Sequence, residues 1–354
     1  MSKKMQNWTV PLIAVFLGMI AGAVLMLIFG YNPIFAYNDL LYTSLFSSVK
    51  NIGEVLAQTG PLILIALGFA VSSKAGFFNV GLPGQALAGW FVAAWFALLH
   101  PDFPKPVSIL ATVLIALIAG GLIGAIPGIL RAYLGTSEVI VTIMMNYIVL
   151  YLTQGLIGNF SKSIMRTTEA TQKVSQSSSY QTDFLRNLTE GSHFNLGFFM
   201  ALIAVVIIWF LMKKTKTGYE ITAVGLNPNA AQYAGMSAKR MIALSMVISG
   251  ALSGLGGAVY GLGYFENFFE QYSSLQIGWD GMAVALLASN NPIAIPFAAL
   301  LYGILAIGKT GMQDVPQEVI DVVSALIIFF VGSNYIIRRY IKLRKQTASK
   351  GGKS

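Results

Sequence analysis

Apolar runs of about twenty residues recur along almost the whole of this 354-residue chain, and they decide what it can become. Almost every one is long enough to cross a hydrocarbon layer of about 30 Å. Backbone inside that layer must satisfy its own hydrogen bonds, so runs of this kind fold as helices. Only 10% of the residues are charged, against about 25% in a soluble domain. The expected fold is all-α: a polytopic transmembrane helical bundle of about ten spans, forming a single membrane domain over residues 1–354.

The spans are read as follows. Residues 9–30 leave the inner side, and 32–59 form an amphipathic helix at the outer interface, with Asp39, Lys50 and Glu54 interrupting its apolar face. A span returns at 61–71, and another ends at Leu99 after a broken stretch. Further crossings lie at 107–130, 138–157 and 196–212, then from Met241, at 277–291, 293–307 and 318–337. Two sets of glycines repeat at close to four-residue spacing: Gly120, Gly124 and Gly128, then Gly250, Gly254, Gly257 and Gly261. Such faces let helix backbones approach closely.

Charge sets the sides. Lys and Arg number 23 against 14 Asp and Glu, a net charge of +9. The excess gathers at the N-terminus (1–8), in the loop 213–240 and in the tail 338–354, which carries RRYIKLRK. Positive loops stay inside, so these three segments are expected in the cytoplasm, with both termini on that side. The Ser-, Thr- and Gln-rich loop 159–195 then lies outside. The N-terminal apolar run has no small-residue cleavage site and is expected to stay as the first span. Cysteine is absent, which excludes disulfides and thiolate metal sites. His100 and His193 show no metal or triad spacing, so no metal and no catalytic residue is expected.

The loop 213–240 is the longest polar, basic stretch between the two apolar halves. Its middle predicts a short helix: Asn227 can cap it, Pro228 takes the first helical position, and Gly235 stops it. So short a helix is marginal in water, so either something docks on it or the stretch is a solvated loop.

Two broken segments, one in each half, point to a transport path. The first, 74–89, holds Gly76, Gly81, Pro83 and Gly84 and offers Phe77, Phe78, Asn79 and Gln85. The second, 277–291, offers Trp279 and Asp280, and Asn146 adds an amide from a neighbouring span. Amides bond donor and acceptor edges, and aromatic faces stack on planar rings or sugars. Taken singly, the three amides serve equally as glue between helices. Tyr264, Phe265 and Glu266 fit either an outer gate and docking surface or an interfacial aromatic belt. The stretch GILAIGKT, 303–310, matches a phosphate-loop expression, but apolar residues inside a span replace the loop that the motif needs. Its Lys309 is expected to snorkel to the interface. Asp280 or Glu138 is the carboxylate that a proton-coupled secondary transporter would use.

Three stretches resemble the permease subunits of bacterial ABC importers for simple sugars, branched-chain amino acids and nucleosides: GFFNVGLPGQALAG (76–89), TGYEITAVGLNPNAAQYAGMSAKRM (217–241) and GWDGMAVALLASNNP (278–292). The similarity covers roughly 61–336. The pattern from Phe78 to Gln85 looks most like the nucleoside branch; a simple-sugar permease is the alternative. One departure is Ala288, where relatives commonly carry Gly. The resemblance implies a transport subunit without its own ATPase, in the bacterial cell membrane. It binds no cofactor; ATP is used by a partner. The implied partners are an ATP-hydrolysing subunit, a second permease subunit and an extracytoplasmic binding protein. It also implies that Gly225, Asn227, Pro228, Ala231, Tyr233 and Gly235 form the loop that docks on the ATPase.

Overall fold

The computed structural model describes residues 3–158, 164–312 and 314–332. The basic tail and the start of the 159–195 loop, at 159–163, lie outside them. Among the described residues the chain is helical, with no strand and two isolated β-bridges, Met165 with Thr171 and Ala170 with Phe269. In chain order the helices are α1 (Lys3–Ile28), α2 (Pro33–Leu41), α3 (Val49–Lys74), α4 (Leu82–Leu99), α5 (Lys105–Leu134), α6 (Glu138–Ile157) and α7 (Asp183–Leu188). There follow α8 (Leu196–Lys214), α9 (Lys216–Leu226), α10 (Pro228–Tyr233), α11 (Ala238–Ala258), α12 (Gln276–Leu287), α13 (Ile295–Gly308) and α14 (Gln317–Gly332). Among the described residues six helices are long and apolar enough to cross a membrane: α3, α4, α5, α6, α8 and α11, the last prolonged to Phe265 by a wide π-helical turn. Ten crossings were expected on the sequence.

The expected break between an interfacial helix at 32–59 and a span at 61–71 is corrected. One helix runs from Val49 to Lys74 straight through Pro61. A proline is usually a helix boundary because its ring removes a donor and crowds the preceding turn. Here every residue from 59 to 72 is buried, so packing on all sides outweighs the lost bond. What remains of the separate helix expected at 32–59 is α2, capped by the Asn32 side chain, and a π-helical turn at Tyr42–Phe46.

The chain divides into two compact units, 1–48 with 304–354, and 49–303. In the first unit α1 packs on α14. A Cβ on Gly18 would sit 2.6 Å from the Ile327 Cα, so only glycine permits that approach. Tyr37 Oη donates to the Met19 carbonyl at 2.7 Å, and Lys309 pairs with Asp321 at 3.1 Å. Residues 303–310 are helical in α13 and turn into a short 3₁₀ segment, Lys309–Gly311.

The second unit is built on glycine faces. A Cβ on Gly120 would overlap the Gly250 carbonyl, and one on Gly124 would lie 3.0 Å from the Gly250 Cα. Within the two glycine sets read from the sequence, Gly120 and Gly124 of α5 and Gly250 and Gly254 of α11 are thus each other's partners. The other side of α11 meets α4: a Cβ on Gly89 would overlap the Gly254 carbonyl, and one on Gly257 the Ala86 carbonyl. With backbones this close, van der Waals contact along the seam replaces the hydrophobic drive that lipid cannot supply.

Candidate functional site

The first broken segment begins where α3 ends. Gly76 has φ +84°, the left-handed conformation that glycine takes without cost. The Phe77 N–H donates to the Ser72 carbonyl at 3.0 Å and the Gly76 N–H to the Ser73 carbonyl at 3.1 Å. This pair of bonds closes the helix end and satisfies its orphan carbonyls. Five residues on, α4 starts with Pro83 in its first turn.

The three amides that the sequence singled out bond the gap together. Asn79 Oδ1 accepts from the Gly81 N–H at 2.9 Å, and its Nδ2 donates to Gln85 Oε1 at 3.0 Å and to Ser249 Oγ on α11 at 2.8 Å. From α6, Asn146 Oδ1 accepts from the Gly84 N–H at 2.8 Å, and its Nδ2 donates to the Val80 carbonyl at 2.9 Å. Asn79, Gln85 and Asn146 are 0%, 1% and 4% exposed, and their bonds tie the two sides of the break together. An unwound stretch leaves backbone groups without helical partners, and each buried orphan costs about 1–3 kcal/mol. The amides remove that cost. Of the aromatic pair, Phe78 is half exposed and meets Phe69 edge-on at 5.1 Å, whereas Phe77 is buried beneath the Arg131 guanidinium at 5.9 Å.

Phe77 belongs instead with the polar loop. It packs in one cluster with Ala75, Ile221 and Val224 of α9, Ala231 of α10, and Met241 and Met246 of α11. The expected cap is present: Asn227 Oδ1 accepts from the Ala230 N–H at 3.0 Å, Pro228 opens α10, and Gly235 follows it at φ +83°. Ala231 roots the helix, while Tyr233 is 95% exposed and Leu226 84%. Gly225 ends α9 against the α3 terminus. A Cβ there would overlap the Lys74 carbonyl and sit 2.8 Å from the Gly76 nitrogen. Helix α9 itself was not foreseen; Thr215 caps it by accepting from the Gly218 N–H at 3.2 Å.

Trp279 and Asp280 lie on α12, both partly exposed. Gly278 brings this helix to within backbone contact of Pro83, and Gly281 brings it onto Ile65. The second piece therefore packs directly on the first. Asp280 accepts from Gln276 Nε2 at 3.0 Å and acts electrostatically on Tyr260 and Tyr302. The turn after α12 holds Ser289 and Asn290 at positive φ. Glu138 pairs with Arg131 at 3.3 Å, across the turn from α5 to α6.

At the opposite end of α11, Phe265 stacks on the buried Trp90 at 5.7 Å, and Phe268 and Phe269 meet the same indole edge-on. Tyr264 lies 4.6 Å from the His193 ring. Glu266, at φ +60°, accepts from Lys173 at 3.0 Å and Ser179 at 2.7 Å. Burial alone would raise its pKa. The hydrogen bonds from Ser179 and Lys173 and the nearby positive charge outweigh burial and hold it below the usual carboxylate value.

A family profile described as branched-chain amino acid transport system / permease component matches residues 51–332. The chain belongs to that family. The nucleoside ABC transporter permease protein NupB of Lactococcus lactis is 50% identical over the whole of both chains. The guanosine ABC transporter permease protein NupP of Bacillus subtilis is 42% identical over 99% of this chain and 100% of its own. The glucose ABC transporter permease protein TsgB13 of Haloferax volcanii is 28% identical over 93% of this chain and 88% of its own. No solved structure matches.

In this permease, a multi-pass membrane protein, one polar contact of the 159–195 loop was not expected from the sequence. Glu54 of α3, 8% exposed, accepts from the His193 backbone N–H at 3.1 Å and lies 2.8 Å from His193 Nδ1. In the sequence Glu54 is one of three charges interrupting the stretch 32–59; its burial in α3 is what calls for a partner.

Proposed function

We propose that this chain is the membrane-spanning permease subunit of an ATP-driven nucleoside importer. The observation that carries the proposal is the 50% identity, end to end, with a nucleoside ABC transporter permease. The substrate path runs by the two broken segments. Asp280 is its polar contact, suited to accept from sugar hydroxyls, and Phe78 and Trp279 offer faces to a planar base. Asn79, Gln85 and Asn146 shape that path by holding the break, with Phe77 tying it to the loop. Tyr264, Phe265 and Glu266 form the outer end, where a binding protein delivers substrate.

Helix α10 is the coupling helix for a separate ATPase subunit, and a second permease subunit completes the path. Ten crossings result when α1, α12, α13 and α14 are added to the six full-length spans. At about 1.5 Å per residue, α12 is roughly 18 Å long and crosses only by joining the turn beyond it. Both termini and the α9–α10 loop then lie in the cytoplasm, as the positive-inside rule requires. Motion enters at α10, passes through the contact of Gly225 with the end of α3, and reaches the break. The paired pieces rock around a fixed site.

The test is uptake of labelled nucleoside and labelled glucose by cells carrying the permease with its ATPase, before and after ATP depletion. The proposal expects nucleoside uptake that stops with ATP and falls at least tenfold in Asp280→Asn. Uptake that survives ATP loss but collapses with the proton gradient contradicts it.

A further inference from the structure

A cavity of about 430 Å³ opens between α3, α8, α9 and the α12–α13 turn. None of the residues assigned above to the substrate path lines it. Its polar end holds Lys74, Lys213, Thr222 and Asn290, and its apolar end includes Val71 and Trp209.

The lining is graded along the helices. Val71 lies three residues before Lys74 on α3, and Trp209 four before Lys213 on α8. These spacings put each pair on one helix face, one turn apart. The charged ends therefore point the same way on both helices, with apolar surface one turn deeper. Lys213 acts on Lys74 as a like charge. Neither lysine makes an ion pair among the described residues, and Glu220, the carboxylate of α9, is taken by Lys216 at 3.6 Å. Two ammonium groups lining one cavity without an acid among the described residues favour an anionic group there. Beside them, Asn290 Nδ2 donates to Ser73 Oγ at 2.7 Å, which fixes the amide; its Oδ1 has no partner among the described residues.

The geometry points to a phosphate-group site for an anionic phospholipid. Lys74 and Lys213 hold the phosphate, and the acyl chain lies along Val71 and Trp209. A free phosphate would satisfy the lysines but leave the apolar wall unused. Basic recesses between helices at the inner membrane surface are a recognised place for such headgroups. Only the assignment of this end to the cytoplasmic leaflet rests on the proposed function. Lys74 also offers its carbonyl to the contact with Gly225, so an occupied site bears directly on the junction of α3 and α9.

The experiment uses the full chain in vesicles, without the ATPase, so that binding is read apart from transport. Trp209 fluorescence is taken as the difference between the native protein and Trp209→Phe. Quenching is measured with acyl-brominated phosphatidylglycerol and with brominated phosphatidylcholine, each at low mole fraction in unbrominated phosphatidylcholine. The site predicts selective quenching by phosphatidylglycerol, with apparent affinity falling about 30-fold in the Lys74→Gln, Lys213→Gln double variant. Selectivity should persist in Lys214→Gln, whose side chain is outside the cavity, and in 10-fold excess inorganic phosphate over lipid. Equal quenching by both lipids, loss of selectivity in Lys214→Gln, or displacement by inorganic phosphate overturns the lipid assignment.

Discussion

Gly225 and Gly76 meet backbone to backbone. A Cβ on Gly76 would sit 3.1 Å from the Gly225 carbonyl oxygen and 3.2 Å from its Cα. The polar loop and the first broken segment, separated by nearly 150 residues of chain, thus share one rigid junction without a side chain between them. Phe77, one residue on, is clamped in the core made by α9, α10 and α11. In the proposed mechanism this is where a push on the loop becomes a movement of the path.

Gly225→Ala tests the junction. The added methyl overlaps the Lys74 carbonyl, so the two segments must part or strain, at a cost of about 1–3 kcal/mol. The expected outcome is a lower melting temperature in detergent and reduced nucleoside uptake, with ATPase binding retained. Gly235→Ala is the contrast: its Cβ meets nothing within 4 Å, so only the strain of φ +83° applies.

The amides give a second prediction. Asn146→Ala leaves the Gly84 N–H and the Val80 carbonyl without partners, a loss of roughly 2–6 kcal/mol by the usual cost of two buried orphans. Asn79→Ala strands Gln85, Ser249 and Gly81 in the same way. Both variants should lose thermal stability and folded yield, while the protein that remains keeps its KM for nucleoside. A large rise in KM with unchanged stability would mean that these amides touch substrate directly.

The glycine seam between α5 and α11 is a third. Gly250→Val drives a branched side chain into the Gly120 carbonyl, with backbone rather than a movable side chain in the way. Overpacking of this kind costs about 3 kcal/mol or more, so folded protein should be lost from the membrane. Gly155→Val, at a position with open space around it, should be tolerated.

Glu266 supplies a pH dependence. Its carboxyl is held below its ordinary value of 4.5 in the fold, so the unfolded segment binds protons more readily than the folded one. The stabilisation is therefore fully present above the ordinary carboxylate range and is lost as pH falls through the lower, folded value. Protease resistance of the 164–195 loop should hold from pH 7 to about 5 and fall in more acidic buffer. In Glu266→Gln that acid-dependent step should shrink.

Much of this was legible from local pattern. Helix α6 has the bounds read from its apolar run, and the Asn227 cap and the Gly235 stop of α10 follow from residue chemistry alone. The break after Lys74 was signalled by four helix breakers within a few residues. What the sequence could not reveal depended on partners far along the chain. Pro61 reads as a boundary until the burial of α3 on all sides is known. Asn79 and Asn146 are visible in the sequence as amides at membrane depth, but not the groups they bond, which lie up to 170 residues away. The glycine faces of α5 and α11 were visible, but not that each fills the other's groove. Glu54 was read only as a charge on an interfacial face, because its partner His193 lies 139 residues away.

The central claim is that α10 is the cytoplasmic docking helix for an ATPase. The chain has no cysteine, so Tyr233→Cys creates a single thiol at a fully exposed position of that helix. The measurement is labelling of this thiol by a membrane-impermeant maleimide in right-side-out and inside-out vesicles, with and without the ATPase subunit. The account predicts labelling only in inside-out vesicles, and at least tenfold slower labelling once the ATPase is bound. Labelling from the outside, or a rate in inside-out vesicles that the ATPase leaves unchanged, contradicts it.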